Sequence, residues 1–249
     1  MSRVAVVTGA SSGIGAASAR RLVKEGFEVA IGARRVDRLQ DLAAEIGASA
    51  QPLDVTDDGS VRAFCDALPR CDVLVNNAGG AIGMEPFESA NVADWAEMYD
   101  ANVLGTLRVT QAMLPKLEAS GDGHIVMMGS WAAHEWYVGG SGYNAAKTAL
   151  RAATQVLRME IVGRPIRVTE IDPGMVETEF SVVRFRGDEA RAAKVYEGMT
   201  PLSADDVADC VAWAVTRPSH VNIDEIVLKP RDQANTRYVH RRPSPQEVP

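Results

Sequence analysis

Apolar runs alternate along this chain with segments of helical periodicity, almost from the first residue. Val4–Thr8 is an unbroken stretch of small and β-branched side chains, as expected of a strand buried on both faces. Gly13–Lys24 is alanine-rich and reads as a helix. A second strand is expected over 27–33 and a second helix over Val36–Ile46, ended by Gly47. A strand over 50–55 and a helix from the cap Asp57 through Leu68 follow. Next come a strand over 71–76, a long helical stretch over 91–118 with Pro115 near its end, and a strand over 124–129. A helix over 143–162 is stopped by Gly163 and Pro165, and a strand over 166–171 comes after it. Residues 177–199 are less periodic, with room for a helix over 188–197. Ala204–Val215 is a further helix and 225–229 a last strand. The polar, proline-bearing tail over 231–249 is expected to be disordered at least towards its end.

Strands and helices in alternation, joined by short links, imply an α/β fold: a parallel sheet with helices on both faces. In such a sheet ligands bind at the carboxyl ends of the strands. The residues of chemical interest do fall just after strands. No repeat or shift in composition divides the chain, so 1–230 is read as a single domain and 231–249 as its tail.

Composition narrows the partners. Of 249 residues, 46% are hydrophobic, enough for a sizeable core. The net charge of −7 argues against nucleic acid and against an anionic membrane surface. No stretch approaches the ~18 apolar residues of a membrane span, and no signal-peptide pattern precedes Val4. Cys65, Cys71 and Cys210 have neither zinc nor redox-pair spacing. They fit free thiols in a reducing cytoplasm. His124, His134, His220 and His240 show no i, i+4 pair, so no metal is expected and each is read as a surface or loop residue.

Between the first strand and the first helix, residues 8–15 read T-G-A-S-S-G-I-G. Gly9, Gly13 and Gly15 let the backbone turn sharply and approach a ligand. Ser11, Ser12 and Ile14 complete a loop that runs into a helix N-terminus, where unpaired N–H groups favour an anion. A dinucleotide pyrophosphate fits both features. The cofactor's ribose is read at the end of the second strand, where a carboxylate would select NAD. Here stand Arg34 and Arg35 instead. Guanidinium groups suit the 2′-phosphate of NADP, although both arginines could simply be solvated at a helix start. Asp37 lies a turn further on and is a weaker ribose candidate.

Ser130 follows the fifth strand, Tyr143 comes thirteen residues later and Lys147 four after that. On a helix, Tyr143 and Lys147 share one face. A phenol is a poor acid–base group at neutral pH, and a neighbouring ammonium favours the phenolate. Ser130 can orient a substrate oxygen, and Asn102 can join a proton relay through water. Trp131 and Trp136 flank the loop between Ser130 and Tyr143, either as pocket walls or as packing residues. Met175 and Met199 fit core filling better than pocket lining.

Residues 8–15, the N-N-A-G of 76–79, Asn102, Ser130, Tyr143, Lys147 and the D-P-G of 172–174 together resemble the short-chain dehydrogenase/reductase family. The resemblance implies a Rossmann-type, doubly wound, seven-stranded parallel sheet. It implies a catalytic tetrad of Asn102, Ser130, Tyr143 and Lys147, with Tyr143 and Lys147 also reaching the cofactor. It places Asp54 and Val55 at the adenine, Asn76, Ala78 and Gly79 along the central cofactor site, and Pro173, Gly174, Val176 and Thr178 beside the nicotinamide. Residues 178–188 (T-E-F-S-V-V-R-F-R-G-D), 220–223 (H-V-N-I) and 239–241 (V-H-R) further resemble the NADP-dependent 3-hydroxy acid dehydrogenases. That group oxidises serine, allo-threonine and 3-hydroxypropionate-like acids and is typically homotetrameric. Such substrates carry a carboxylate, for which Arg184 and Arg186 are the candidates. Either arginine could instead bridge to a neighbouring subunit or to Asp188.

An NADP-dependent 3-hydroxy acid dehydrogenase is therefore the leading reading. A broad carbonyl or 3-oxoacyl reductase is the alternative enzyme. A nucleotide-sensing binding protein is the alternative outside catalysis, and loss of the tyrosine or lysine would be its mark.

Overall fold

A computed structural model describes residues 2–243. Its strands are β1 (Val4–Thr8), β2 (Glu28–Ala33), β3 (Ser49–Pro52), β4 (Val73–Asn76), β5 (Gly123–Met128), β6 (Ile166–Pro173) and β7 (Glu225–Leu228). They form one parallel sheet in the order β3-β2-β1-β4-β5-β6-β7. The order reverses between β1 and β4, which opens a crevice at their carboxyl ends.

The helices are α1 (Gly13–Lys24), α2 (Val36–Ile46), α3 (Asp58–Asp66), α4 (Val92–Tyr99), α5 (Gly105–Ala119), α6 (Ser141–Glu160), α7 (Phe180–Arg184), α8 (Glu189–Lys194) and α9 (Ala204–Val215). Alternate residues of β1 feed opposite cores. Ala5 and Val7 pack with Leu22, Leu39, Val207 and Val211 from α1, α2 and α9. Val6 packs with Phe64, Met113, Leu117 and Ile125 on the other face. A sheet covered on both sides needs apolar residues on both sides, which is why its strands read as continuous hydrophobic runs.

Several boundaries differ from the sequence reading. Phe27 is not in β2: its N–H bonds to the carbonyl of Leu22 and closes the end of α1. β3 stops at Pro52, and Asp54 and Val55 turn towards the crevice. The stretch over 91–118 is not one helix. A π-helical turn at Asp100–Leu104 separates α4 from α5 and carries Asn102. Residues 177–199 hold two short helices, α7 and α8, rather than one.

Residues 231–243 fold back onto the domain. The Asp232 carboxylate accepts the N–H of Thr200 and pairs with Arg242, and Gln233 Oε1 accepts the N–H of Met175. Their polar side chains serve as partners for backbone groups rather than for water alone. The rest of the tail lies outside the described residues. The three cysteines are free thiols, and no described helix is long and apolar enough to cross a membrane.

Candidate active site

The crevice is a cavity of about 1670 Å³ that runs from the end of β2, over the loop after β1, to the start of α6. Its floor is the glycine loop. Gly9 and Gly13 have φ of +67° and +53°, a left-handed backbone that favours glycine. A Cβ on Gly9 would lie 2.8 Å from Ala78 Cα, and one on Gly15 would lie 2.5 Å from Asn77 Nδ2. Gly15 itself faces this packing contact and not the cavity. Asn77 is the clamp: its Nδ2 donates to the carbonyls of Thr8 (2.9 Å) and Gly9 (3.2 Å). Ser11, Ser12, Gly13 and Ile14 line the cavity, and no side chain caps the N-terminus of α1. Unpaired backbone donors therefore face the space where a pyrophosphate fits.

At the end of β2, Arg34 and Arg35 both line the cavity. Arg35 donates to the Ser11 hydroxyl at 3.1 Å and to the Ser12 hydroxyl. Glu179 accepts from Arg35 and from Arg38, each at 2.7 Å. Arg38 thus joins the cationic corner, although its place inside α2 gave no sign of this. Asp54 and Val55 line the same end. Burial works against the Asp54 carboxylate, but hydrogen bonds from Thr56 and the Arg34 charge hold it below the usual range. Pyrophosphate-sized backbone donors beside two cavity-facing guanidinium groups fit a 2′-phosphorylated dinucleotide.

The middle of the crevice departs from expectation at two asparagines. Ala78 and Gly79 line it, but Asn76 does not. Asn76 is the last residue of β4, and its Nδ2 points away to the Thr110 hydroxyl at 2.8 Å. Asn102 is buried behind Gly79 and does not reach the cavity. Its Nδ2 donates to the carbonyls of Met98 (2.7 Å) and Gly80 (2.8 Å), and its Oδ1 accepts the Gly80 N–H at 3.2 Å. The side-chain amide thus braces the turn at 79–80, with both Nδ2 hydrogens engaged.

At the far end, Ser130, Tyr143 and Lys147 meet. Ser130 follows β5, and its hydroxyl accepts the Ala132 N–H at 3.1 Å. Tyr143 and Lys147 lie one turn apart on α6, with Lys147 Nζ 5.8 Å from the phenol ring centre. Lys147 Nζ donates to the Met128 carbonyl at 2.8 Å, which fixes it under the sheet edge. Burial pushes the Lys147 ammonium down to about 8, while the charges of Asp172 and Glu170 oppose the fall. Burial also pushes the Tyr143 phenol up, against the pull of Ser130 and Arg184. The free chain therefore holds Tyr143 as a phenol. Only added positive charge beside it would make it a good base.

Pro173, Gly174, Met175, Val176 and Thr178 form the wall opposite. Met175 thus lines the cavity, whereas Met199 is buried outside it, as core filling requires. α7 covers the substrate end. Phe180 packs edge-on against Tyr143 with ring centres 5.5 Å apart. Arg184 is buried, and its Nε donates to the Gly83 carbonyl at 2.9 Å. A second nitrogen donates to the Tyr137 hydroxyl at 2.8 Å. The guanidinium lies 5.8 Å from the Tyr143 ring centre. No carboxylate among the described residues pairs with it.

Arg186 is not part of this site. It sits two residues on, at φ +55°, and binds both oxygens of Asp94 on the outer surface. Trp136 is not a pocket wall either: it is 64% exposed, with Nε1 3.4 Å from the Thr148 hydroxyl. Trp131 and Tyr137 take that place. One histidine also differs from its reading as a surface or loop residue: His124 is fully buried on β5. His134 is a loop residue and lies half-buried between Asp172 and Glu225.

Comparison with known proteins gives the family. The family model for short chain dehydrogenases matches residues 3–188. An uncharacterized oxidoreductase of Mycobacterium tuberculosis is 60% identical over 233 residues, which are 94% of this chain and 93% of that protein. The NADP-dependent 3-hydroxy acid dehydrogenase YdfG of Salmonella typhi is 41% identical over 238 residues, 93% of this chain and 96% of its own. Among solved structures, the closed form of a serine dehydrogenase complexed with NADP+ superposes with a TM-score of 0.91 at 40% identity, covering 96% of this chain and all of that one. The chain is an oxidoreductase and belongs to the short-chain dehydrogenase family.

Proposed function

We propose that this protein oxidises small 3-hydroxy acids of the serine, allo-threonine or 3-hydroxypropionate type with NADP, and reduces the matching semialdehydes in reverse. The observation that carries the substrate class is Arg184, a buried guanidinium without a carboxylate partner, in the same cavity as Ser130 and Tyr143. A buried charge without a counter-ion is costly, and a substrate carboxylate would supply one. The relatives that act on serine and 3-hydroxy acids support the same class.

NADP is the cofactor, with its 2′-phosphate at Arg34 and Arg35 and its pyrophosphate on the glycine loop. When bound, it supplies the hydride acceptor. Ser130 donates to the substrate oxygen. Tyr143 takes the hydroxyl proton, and Lys147 stabilises the phenolate. Asn102 contributes by bracing the turn at 79–80. A panel of serine, threonine isomers, 3-hydroxypropionate and plain secondary alcohols tests the assignment. Equal kcat/KM for acids and uncharged alcohols would favour the broad carbonyl reductase instead.

The chain is further read as a cytoplasmic homotetramer. Support comes from its free thiols and from exposed apolar side chains. Among them are Tyr99, Leu107, Met159, Trp213 and Val227. Light scattering at micromolar concentration checks the assembly.

A further inference from the structure

After β7 the chain turns back on itself at the rim of the cavity. Gln233 and Val239 pair as an antiparallel bridge, and the Ala234 N–H donates to the Tyr238 carbonyl at 2.9 Å. Three contacts pin this turn to the domain. The Asp232 carboxylate accepts the Thr200 N–H at 2.9 Å, Glu135 Oε2 accepts the Thr236 N–H at 3.0 Å, and the Arg242 N–H donates to the Gly198 carbonyl at 2.7 Å. Gln233, Thr236 and Arg241 line the same cavity as Ser130 and Tyr143, and the reaction as described uses none of them. The Thr236 hydroxyl is committed to Glu135, and both terminal nitrogens of Arg241 donate to the carbonyls of Glu197 and Val195. Gln233 differs. It is only 7% exposed, and its Oε1 accepts the Met175 N–H at 2.9 Å. That bond fixes the amide, so the other end is the donor NH2. Gly174 makes the approach possible, since a Cβ there would stand 2.3 Å from Gln233 Oε1. No acceptor among the described residues meets Gln233 Nε2, and that nitrogen is not sealed in the interior.

We propose that Gln233 is a specificity-determining residue: its side-chain N–H groups face the cavity and donate to the substrate carboxylate, as a neutral partner to Arg184. The proposal rests on the assignment of 3-hydroxy acids as substrates. In such an acid a single carbon separates the carbinol from the carboxylate, so whatever binds the carboxylate stands close to the reacting end. The wall that Gln233 braces is next to Ser130: Asp172, two residues before Gly174, accepts the Ser130 N–H at 2.8 Å. A carboxylate offers about four lone-pair sites. Arg184 has already committed Nε to the Gly83 carbonyl and one terminal nitrogen to Tyr137. A carboxylate held there keeps lone pairs that a second donor can fill. Gln233 fills them without adding a second buried charge, which would itself need a counter-ion. Pinned by its neighbours, the amide loses little freedom when it binds.

Gln233→Glu separates the donor from the brace. It keeps an oxygen for the Met175 N–H and replaces the NH2 with a second oxygen. The readout is kcat/KM for 3-hydroxypropionate divided by kcat/KM for an uncharged secondary alcohol. This ratio is expected to fall by about tenfold or more, through loss of a hydrogen bond to a charged group, and the fall is expected in KM rather than kcat. Gln233→Leu removes both ends of the amide and adds no charge, so its ratio is expected to fall less far. An unchanged ratio in Gln233→Glu overturns the proposal and leaves Gln233 a brace alone. If that variant does not fold, an unchanged ratio in Gln233→Leu overturns it. A loss confined to NADP affinity, read by calorimetry, also overturns it and gives the donor to the cofactor. The wild-type protein decides the reading beneath. No preference there for 3-hydroxypropionate over the alcohol removes the substrate class and this proposal together. A preference equally strong in wild type and in both variants removes the role of Gln233 alone.

Discussion

The hydroxyl of Tyr137 accepts a hydrogen bond from the Arg184 guanidinium at 2.8 Å, across 47 residues of sequence. This contact ties the loop after β5 to α7 and aims a buried cation at the end of the crevice where Tyr143 stands. Charge and aim are separate properties, and they can be separated experimentally.

Arg184→Ala is expected to raise KM for a 3-hydroxy acid by roughly 10- to 100-fold, since a hydrogen bond to a charged group is worth about 1.5–3 kcal/mol. KM for an uncharged alcohol should change little. Tyr137→Phe keeps the charge and loses one contact, so a rise of only about 3- to 10-fold is expected, from about 1 kcal/mol. Steady-state kinetics on the two substrate types checks both, and an equal effect on each type would sink the carboxylate clamp.

Tyr143→Phe keeps the ring that packs on Phe180 and removes the titrating oxygen. Loss of general acid–base catalysis is expected to lower kcat by about 10²–10⁴-fold. NADP binding, followed by fluorescence quenching, should be retained within a fewfold. A variant as fast as the parent would show that the proton goes elsewhere.

Arg34→Ala and Arg35→Ala each remove a cavity-facing guanidinium from the end of β2. Each is expected to weaken NADPH about tenfold or more, by about 1.5–3 kcal/mol of charge-assisted bonding. NADH binding should hardly move. Calorimetric titration with both cofactors measures the gap, and its persistence in both variants would refute the phosphate assignment.

His124 is fully buried on β5, with Nε2 2.8 Å from the Thr169 hydroxyl. Burial, followed by the charges of Arg167 and Arg3, pushes its pKa down to about 3, well below the ordinary histidine range. The folded state therefore refuses a proton that the unfolded chain accepts below its own pKa. Stability is complete above about pH 6.5 and is lost as pH falls from there towards 3, at about 1.4 kcal/mol per pH unit. Denaturant unfolding at pH 7 and pH 5 should show a drop in the parent that is smaller by about 2 kcal/mol in His124→Gln. Equal drops would mean that His124 does not carry this dependence.

Much of this was legible beforehand because local rules wrote it. The runs at Val4–Thr8 and 124–129 had to be doubly buried strands, and the loop between Gly9 and Gly15 had to sit at a helix start. The four-residue spacing of Tyr143 and Lys147 is a property of any helix. Each of these follows from periodicity, backbone freedom or the chemistry of neighbours in sequence.

The sequence by itself thus determined the sheet, the phosphate loop, the cationic end of β2 and the pairing of phenol with ammonium. Only the tertiary structure decided which side chains turn inward. Arg184 and Arg186 are chemically alike and two residues apart, yet one is buried over Tyr137 and the other is bound to Asp94 outside. Asn76 and Asn102 were both plausible cavity residues, and both are used to hold neighbouring backbone or side chains instead. Asp172, His134 and Glu225 come from three separate elements and meet only where β5, β6 and β7 lie side by side. Long-range contacts of this kind depend on where the chain returns to itself, and no local pattern encodes that.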